Sequence, residues 1–177
     1  KMTLGKKILT GFIACTLILI GFAIFSYKNS EKLVASNALV DHSNQVLYEF
    51  EQILVSSIDA ETSVRGFVIT GNDNFLEPFS NADKIALEHL YKVKELTKDN
   101  SDQKKNIAEL EKYLQARFDN LNTVIELRKK DFINARAFIA SGGGTALQEQ
   151  IRKTIDRAQK AEHVLLSQRK QASEDNG

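Results

Sequence analysis

A chain of 177 residues with 42% apolar and 27% charged side chains is long enough for one domain with a proper core and too apolar for wholesale disorder. A formal net charge of +1 without a concentrated basic patch excludes a nucleic-acid surface, and a single cysteine excludes both an internal disulfide and a four-cysteine zinc site. One proline and no tryptophan favour long uninterrupted helices over a turn-rich β fold.

The chain opens on a basic leader, residues 1–7, which carries Lys1, Lys6 and Lys7 and no acid. Residues 8–27 then run without a charge. Twenty helical residues span about 30 Å, the thickness of a bilayer's hydrocarbon core. The run is apolar on every side, so a membrane helix fits better than a buried core helix. A cleaved signal peptide would have a shorter apolar region and a small-residue cleavage site, which residues near Ser26 do not offer. The leading lysines place the N-terminus in the cytoplasm by the positive-inside rule.

From residue 28 the pattern becomes amphipathic and continues without a breaker to 71. Leu39, Val46, Ile53, Ala60 and Phe67 recur every seven residues, with Ser43, Phe50, Ser57 and Val64 between them. This is an a/d seam. Gly71-Asn72-Asp73 is a helix stop, Asp73 or Asn74 is the expected cap of the next helix, and Pro78 belongs in a first turn. The second helix is expected over 75–98, with Phe79, Ala82, Ala86, Leu90 and Val93 as its stripe. Asn100 with Gln103 resembles a capping box, and Ser101 is an equally good cap, for a third helix over 101–140, buried through Ile107, Leu110, Leu114, Phe118, Leu121 and Ile125. That helix is too long for the second one, by about 20 Å. A break near residue 130, with Asp131 capping a short helix over 132–140, resolves the mismatch. Ser141-Gly142-Gly143-Gly144 is the second stop. No strand precedes it and no Lys follows at phosphate-loop spacing, so it reads as a turn. Thr145 to Gln148 resembles a capping box opening a fourth helix over 145–172, with Leu147, Ile151, Ile155, Ala158, Ala161 and Leu165 inward.

Residues 64–71 and 135–142 form a weak repeat, each an Arg-small-Phe-aliphatic run ending at a turn glycine. Two copies are too few for a solenoid. The fold class is therefore all-α: an antiparallel four-helix bundle, residues 28–177, whose first helix continues from the membrane helix. An even number of antiparallel helices returns the chain to the bilayer, so a second membrane helix is expected beyond residue 177.

The run Asp59, Glu61, Thr62, Arg65, Gly66, Phe67, Thr70, Gly71, Phe75, Leu76, Pro78 and Phe79 resembles the signature of the third class of CHASE domains. That signature reads D-x-E-T-G-x-R-G-[YF]-x-x-T-G and then F-L-x-P-[YF]. Ser63 stands where Gly or Ala is usual. A second motif of the family, G-x-G-K-x-x-M-D-x-I-R, is matched at Gly142, Gly144, Ile151 and Arg152, with Glu149 in the acid position. Thr145 and Gln148 replace its Lys and Met. The resemblance spans residues 29–169. It implies an extracytoplasmic sensory domain of a bacterial receptor whose output is a histidine kinase, a chemotaxis-type signalling domain or a cyclase.

The candidate site is the polar cluster Asp59, Glu61, Thr62 and Arg65, together with Arg136 or Arg152. It serves either as a ligand contact or switch, or as a hydrogen-bonded end that fixes hairpin register. Gly66 reads as a point of close approach. Gly66, Gly71, Phe75, Pro78, Gly142 and Gly144 are the turn and packing signature. None of His42, His89 and His163 has Glu three residues before it, so no di-iron site is expected, and His89, beside Glu88, and His163, beside Glu162, read as solvated. No catalytic residue, metal or cofactor is expected in this segment. The expected partners are the membrane, a second copy through helices one and four, and an unidentified small-molecule or protein stimulus. A single-pass structural or assembly protein with a periplasmic bundle is the rival reading.

Overall fold

The computed structural model describes residues 3–174, and among these it contains helices and no strand. The helices are α1 (Leu4–Thr70), α2 (Leu76–Leu96), α3 (Ser101–Lys130), α4 (Phe132–Ala140) and α5 (Gly143–Glu174), with a 3-10 turn at Asp73–Phe75 before α2. They belong to two compact units. The first joins the described residues up to Asp41 to those from Leu166 onward. The second is His42–Leu165.

In the first unit α1 carries an apolar stretch long enough to cross a membrane, none of it buried by protein. Thr10 and Thr16 hydroxyls donate to the carbonyls of Lys6 and Phe12 one turn back, which satisfies them without water. Further along, α1 meets α5: Arg169 Nη1 donates to the Leu39 carbonyl at 3.2 Å, and Ser36 Oγ to the Arg169 carbonyl at 3.4 Å. Leu39, expected in the seam, is exposed.

The second unit is a bundle of the long helices. On α1, Ser43, Val46, Phe50, Ile53, Ser57, Ala60, Val64 and Phe67 are buried, alternating three and four apart, with Glu49, Ser56, Ser63 and Val68 buried beside them. That spacing keeps one stripe facing its neighbours. On α2 the stripe is Phe79, Ala82, Ala86, Leu90 and Val93. On α5, Ile151, Ile155 and Ala158 are buried, but Ala161 is exposed and Glu162 takes the inward place.

Each helix end has its own chemistry. α1 stops because Gly71 adopts φ +69° and its N–H returns to the Phe67 carbonyl at 2.7 Å. Arg128 of α3 donates Nε to the neighbouring Val68 carbonyl at 2.7 Å, placing a cation on the negative end of the α1 dipole. The following turn is capped by Asn72, whose side chain accepts from the Asn74 N–H at 3.0 Å; neither Asp73 nor Asn74 serves as the cap. Pro78 is the third residue of α2, where no intrahelical donor is required. α3 begins with Asn100 accepting from the N–H groups of Asp102 and Gln103. The Gln103 side chain does not complete a capping box; it is buried and donates to the Ala158 carbonyl at 3.0 Å. α3 ends at Lys130, and Asp131, in an extended conformation, caps α4 through the Ile133 N–H. Gly142 at φ +80° turns the chain into α5, which starts at Gly143. Thr145 therefore lies inside the first turn, and Gln148 points into the core instead of closing a capping box.

The Gly66 position is set by contact. A Cβ there would sit 2.5 Å from Cδ1 and 2.7 Å from Cε1 of Phe75, so the ring of the second signature aromatic packs against the gap in α1. Gly66→Val should displace that ring and cost about 1–3 kcal/mol, measurable by urea denaturation.

Candidate functional site

Two buried polar layers tie α1, α3 and α5 together. The first contains Glu61 and is built around Arg117, whose side chain is only 5% exposed. Its Nη2 contacts Glu61 Oε2 at 3.0 Å, its Nη1 donates to Asn120 Oδ1 at 2.9 Å, and its Nε donates to Gln148 Oε1 at 3.4 Å. Gln148 Nε2 donates in turn to Ser57 Oγ at 2.9 Å. Since Ser57 and Glu61 lie one turn apart on α1, the layer closes into a ring. Gly144 makes room for it, because a Cβ there would meet Arg117 Nη1 at 2.5 Å and Asn120 Oδ1 at 2.6 Å.

The second layer lies fourteen residues, about 21 Å, back along α1. Ser43 Oγ donates to Glu162 Oε1 at 2.7 Å, and Gln103 Nε2 reaches Glu162 Oε2 at 3.5 Å. Glu162 is thus a core residue, in the place the sequence pattern assigned to Ala161. His89 is also mostly covered, against the expectation of solvation, with Nδ1 2.5 Å from Oε2 of Glu49 and its ring edge-on to Tyr48. No buried side-chain nitrogen or oxygen among the described residues lacks a partner.

The expected cluster splits across two faces of α1. Glu61 and Arg65 face one side, paired at 3.4 Å, with the Arg65 side chain 70% exposed. Asp59 and Thr62 face the other, along a groove with Glu77, Pro78 and Asn81 of α2. Thr62 spends its hydroxyl on the Ile58 carbonyl. Arg136 and Arg152 are both exposed and do not join the cluster. The arginine that locks Glu61 is Arg117, which sequence reasoning missed.

Glu61, Arg65 and Arg117 open onto a cleft of about 290 Å³. Val64, Leu121, Val124, Phe138 and Ile139 supply its apolar lining, and Gly144 and Thr145 its rim at the start of α5. The two halves of the internal repeat therefore meet here, Val64 and Arg65 from one and Phe138 and Ile139 from the other. Burial pushes the Arg117 pKa down and the Arg65 charge adds to this, while Glu61 works in the opposite sense. Arginine starts so high that it stays charged at physiological pH.

Asp83 of α2 is the carboxylate the fold disfavours: burial, and then the charge of Asp119, raise its pKa above the ordinary value. The native state therefore holds the proton more tightly than the unfolded chain, so this residue's contribution is best in acid and is lost as pH rises through its folded pKa. Asp83→Asn should raise the melting temperature at pH 7, and the gain should vanish as pH falls below about 4.

Among the described residues no group of three or more His, Cys, Asp or Glu is placed to hold a metal ion. A helix long and apolar enough to cross a membrane thus continues into a helical bundle with two buried polar layers. The comparisons say which kind of domain this is. The CHASE3 domain model matches residues 36–172, and the chain belongs to that family. Among solved structures, the sensor domain of the Rhodopseudomonas palustris histidine kinase HK9 is similar, with a TM-score of 0.67 and 27% identity over 71% of this chain and 98% of that one. No curated protein matches the sequence. The segment is the extracytoplasmic sensory module of a histidine-kinase-type receptor, anchored in the bacterial inner membrane with its N-terminus in the cytoplasm.

Proposed function

We propose that this module signals by shifting α5 against α1, with the Glu61–Arg117–Gln148–Ser57 ring as the element that the stimulus perturbs. The observation that carries the reading is the ring's connectivity. Glu61 and Ser57 sit on α1, Gln148 on α5 and Arg117 between them on α3. Any change at Glu61 or Arg117 therefore acts on the register of α1 and α5. Both helices are continuous from this unit into the one that contains the membrane stretch. Arg65 flanks the ring, Asp59 and Thr62 lie on the other side of α1 along the α2 groove, and all three are proposed as ligand-facing or switching residues.

The receptor is proposed to work as a homodimer through α1 and α5. On α1, exposed Tyr48, Val55, Thr62 and Ile69 recur every seven residues, on a face distinct from the buried seam, and Val164 of α5 is exposed as well. A second stripe at heptad spacing, apolar at Tyr48, Val55 and Ile69 and interrupted by Thr62, supports a second helix partner.

The test is a lock. In a Cys15→Ser background, Ser36→Cys with Arg169→Cys joins α1 to α5 where Ser36 Oγ already reaches the Arg169 carbonyl. With the segment driving a reporter histidine kinase, oxidation should clamp output at one level and reduction should restore its response. Equal output from the locked and reduced forms would mean the helices do not relay the signal.

A further inference from the structure

The cleft beside the ring has a lining whose chemistry selects an occupant. Its charged groups are two guanidiniums and one carboxylate, which leaves one unmatched positive charge. The three are not equivalent. Arg117 is buried and spends donors on Glu61, Asn120 and Gln148. Glu61 divides its carboxylate, Oε1 toward Arg65 and Oε2 toward Arg117. Arg65 contributes only a long 3.4 Å contact and is 70% exposed, so its planar fork can turn to an incoming anion at little cost. The rest of the lining is an apolar wall of Leu121, Val124, Phe138 and Ile139, bordered by the polar side chains of Asn120 and Thr145.

A bare inorganic anion would satisfy Arg65 and leave that wall wet. A neutral apolar molecule would cover the wall and add nothing for the guanidinium. A dianion would bring one charge more than the lining neutralises. The volume, about 290 Å³, is at the small end of ligand pockets and equals that of about ten waters. We propose that the cleft binds a small monocarboxylate with a compact apolar body, its carboxylate on Arg65 and its body against Leu121, Val124, Phe138 and Ile139. This rests on the ring being where the stimulus acts. It adds the class of molecule that acts there: the carboxylate would draw Arg65 away from Glu61 and leave Glu61 to Arg117 alone.

The test uses the full chain in phosphatidylcholine nanodiscs, with benzoate titrated calorimetrically and empty nanodiscs subtracted. Benzoate should bind saturably, one per chain, with a dissociation constant of about 1 mM or tighter, as its size permits. Benzamide, which keeps the body and loses the charge, should bind at least about tenfold more weakly, and so should acetate, which keeps the charge and loses the body. Arg65→Gln should weaken benzoate about tenfold without changing helix content, since the side chain is at the surface. Arg65→Lys, which keeps the charge but not the fork, should fall between the two. Absence of saturable heat, benzamide binding as well as benzoate, or full affinity in Arg65→Gln would each overturn the assignment. Spin labels at residues 36 and 169 separate this from the relay. Benzoate binding that depends on Arg65 but leaves their distance unchanged would keep the site and sink the relay. If benzoate fails to bind while the disulfide lock still clamps output, the relay stands and the ligand assignment falls.

Discussion

Arg117→Ala should destabilise the bundle by about 3 kcal/mol and lower its melting temperature by roughly 10 °C. The expectation follows from what is left behind. Glu61 loses the buried half of its charge compensation, and Gln148 and Asn120 lose the donors to their side-chain oxygens. Orphaned buried acceptors cost more than the bond itself contributed. Glu61 is 27% exposed, so water recovers part of the loss, which keeps the figure at the low end for a broken buried pair. Removing both partners removes the unpaired charge. The double variant Glu61→Leu with Arg117→Met should therefore be more stable than the sum of its singles by at least about 1 kcal/mol. Arg65→Gln is the contrast: its pairing with Glu61 is long and solvated, and its loss should register below about 0.5 kcal/mol. Urea denaturation of Glu61→Leu, Arg117→Met and their double variant measures the cycle, with Arg117→Ala and Arg65→Gln beside it. Similar losses from Arg65 and Arg117 would show that burial does not set the value of these pairs.

Arg117 also shows what a sequence reader can and cannot see. Gln103, Ile107, Leu110, Leu114, Arg117, Leu121 and Val124 alternate four and three along α3, and all are buried. Following apolar residues alone steps from Leu114 to Phe118 and passes over the arginine. The same rule on α5 runs Gln148, Ile151, Ile155, Ala158, Glu162, and choosing the apolar neighbour selects exposed Ala161. On α1, Ser43 and Ser57 are small enough to be admitted to the stripe, and there the seam was legible. A polar residue at strict heptad spacing was thus the available signal for the core's hydrogen-bonding layers. What the pattern cannot give is the pairing. Ser43 meets Glu162 across 119 residues, and Gln148 meets Ser57 across 91. Both Gln103 and Gln148 also have a local explanation as capping-box partners, which a reader without coordinates prefers. The two glycine stops are legible for the opposite reason. Their φ values of +69° and +80° are a single-residue demand that Gly meets and most side chains do not.

The polar layers fix which helices pair, but the apolar residues between them supply the stability, and Phe50 measures how much. It lies seven residues from both Ser43 and Ser57, midway between the layers along α1, and it is fully buried. Phe50→Ala should cost about 4 kcal/mol, the transfer term for the ring plus the cavity that rigid neighbouring helices cannot close. Phe50→Leu, which refills most of that space, should cost about 1 kcal/mol. Ile69→Ala, on the same helix but 77% exposed, should stay within about 0.5 kcal/mol. The ratio of the first two costs is the informative quantity. A fourfold gap means that the interior between the layers is rigid enough to keep a hole open, which a lever acting through α5 requires. If Phe50→Ala costs no more than Phe50→Leu, the helices collapse around the deletion. A bundle that soft would absorb a shift at the Arg117 ring before it reached the other layer.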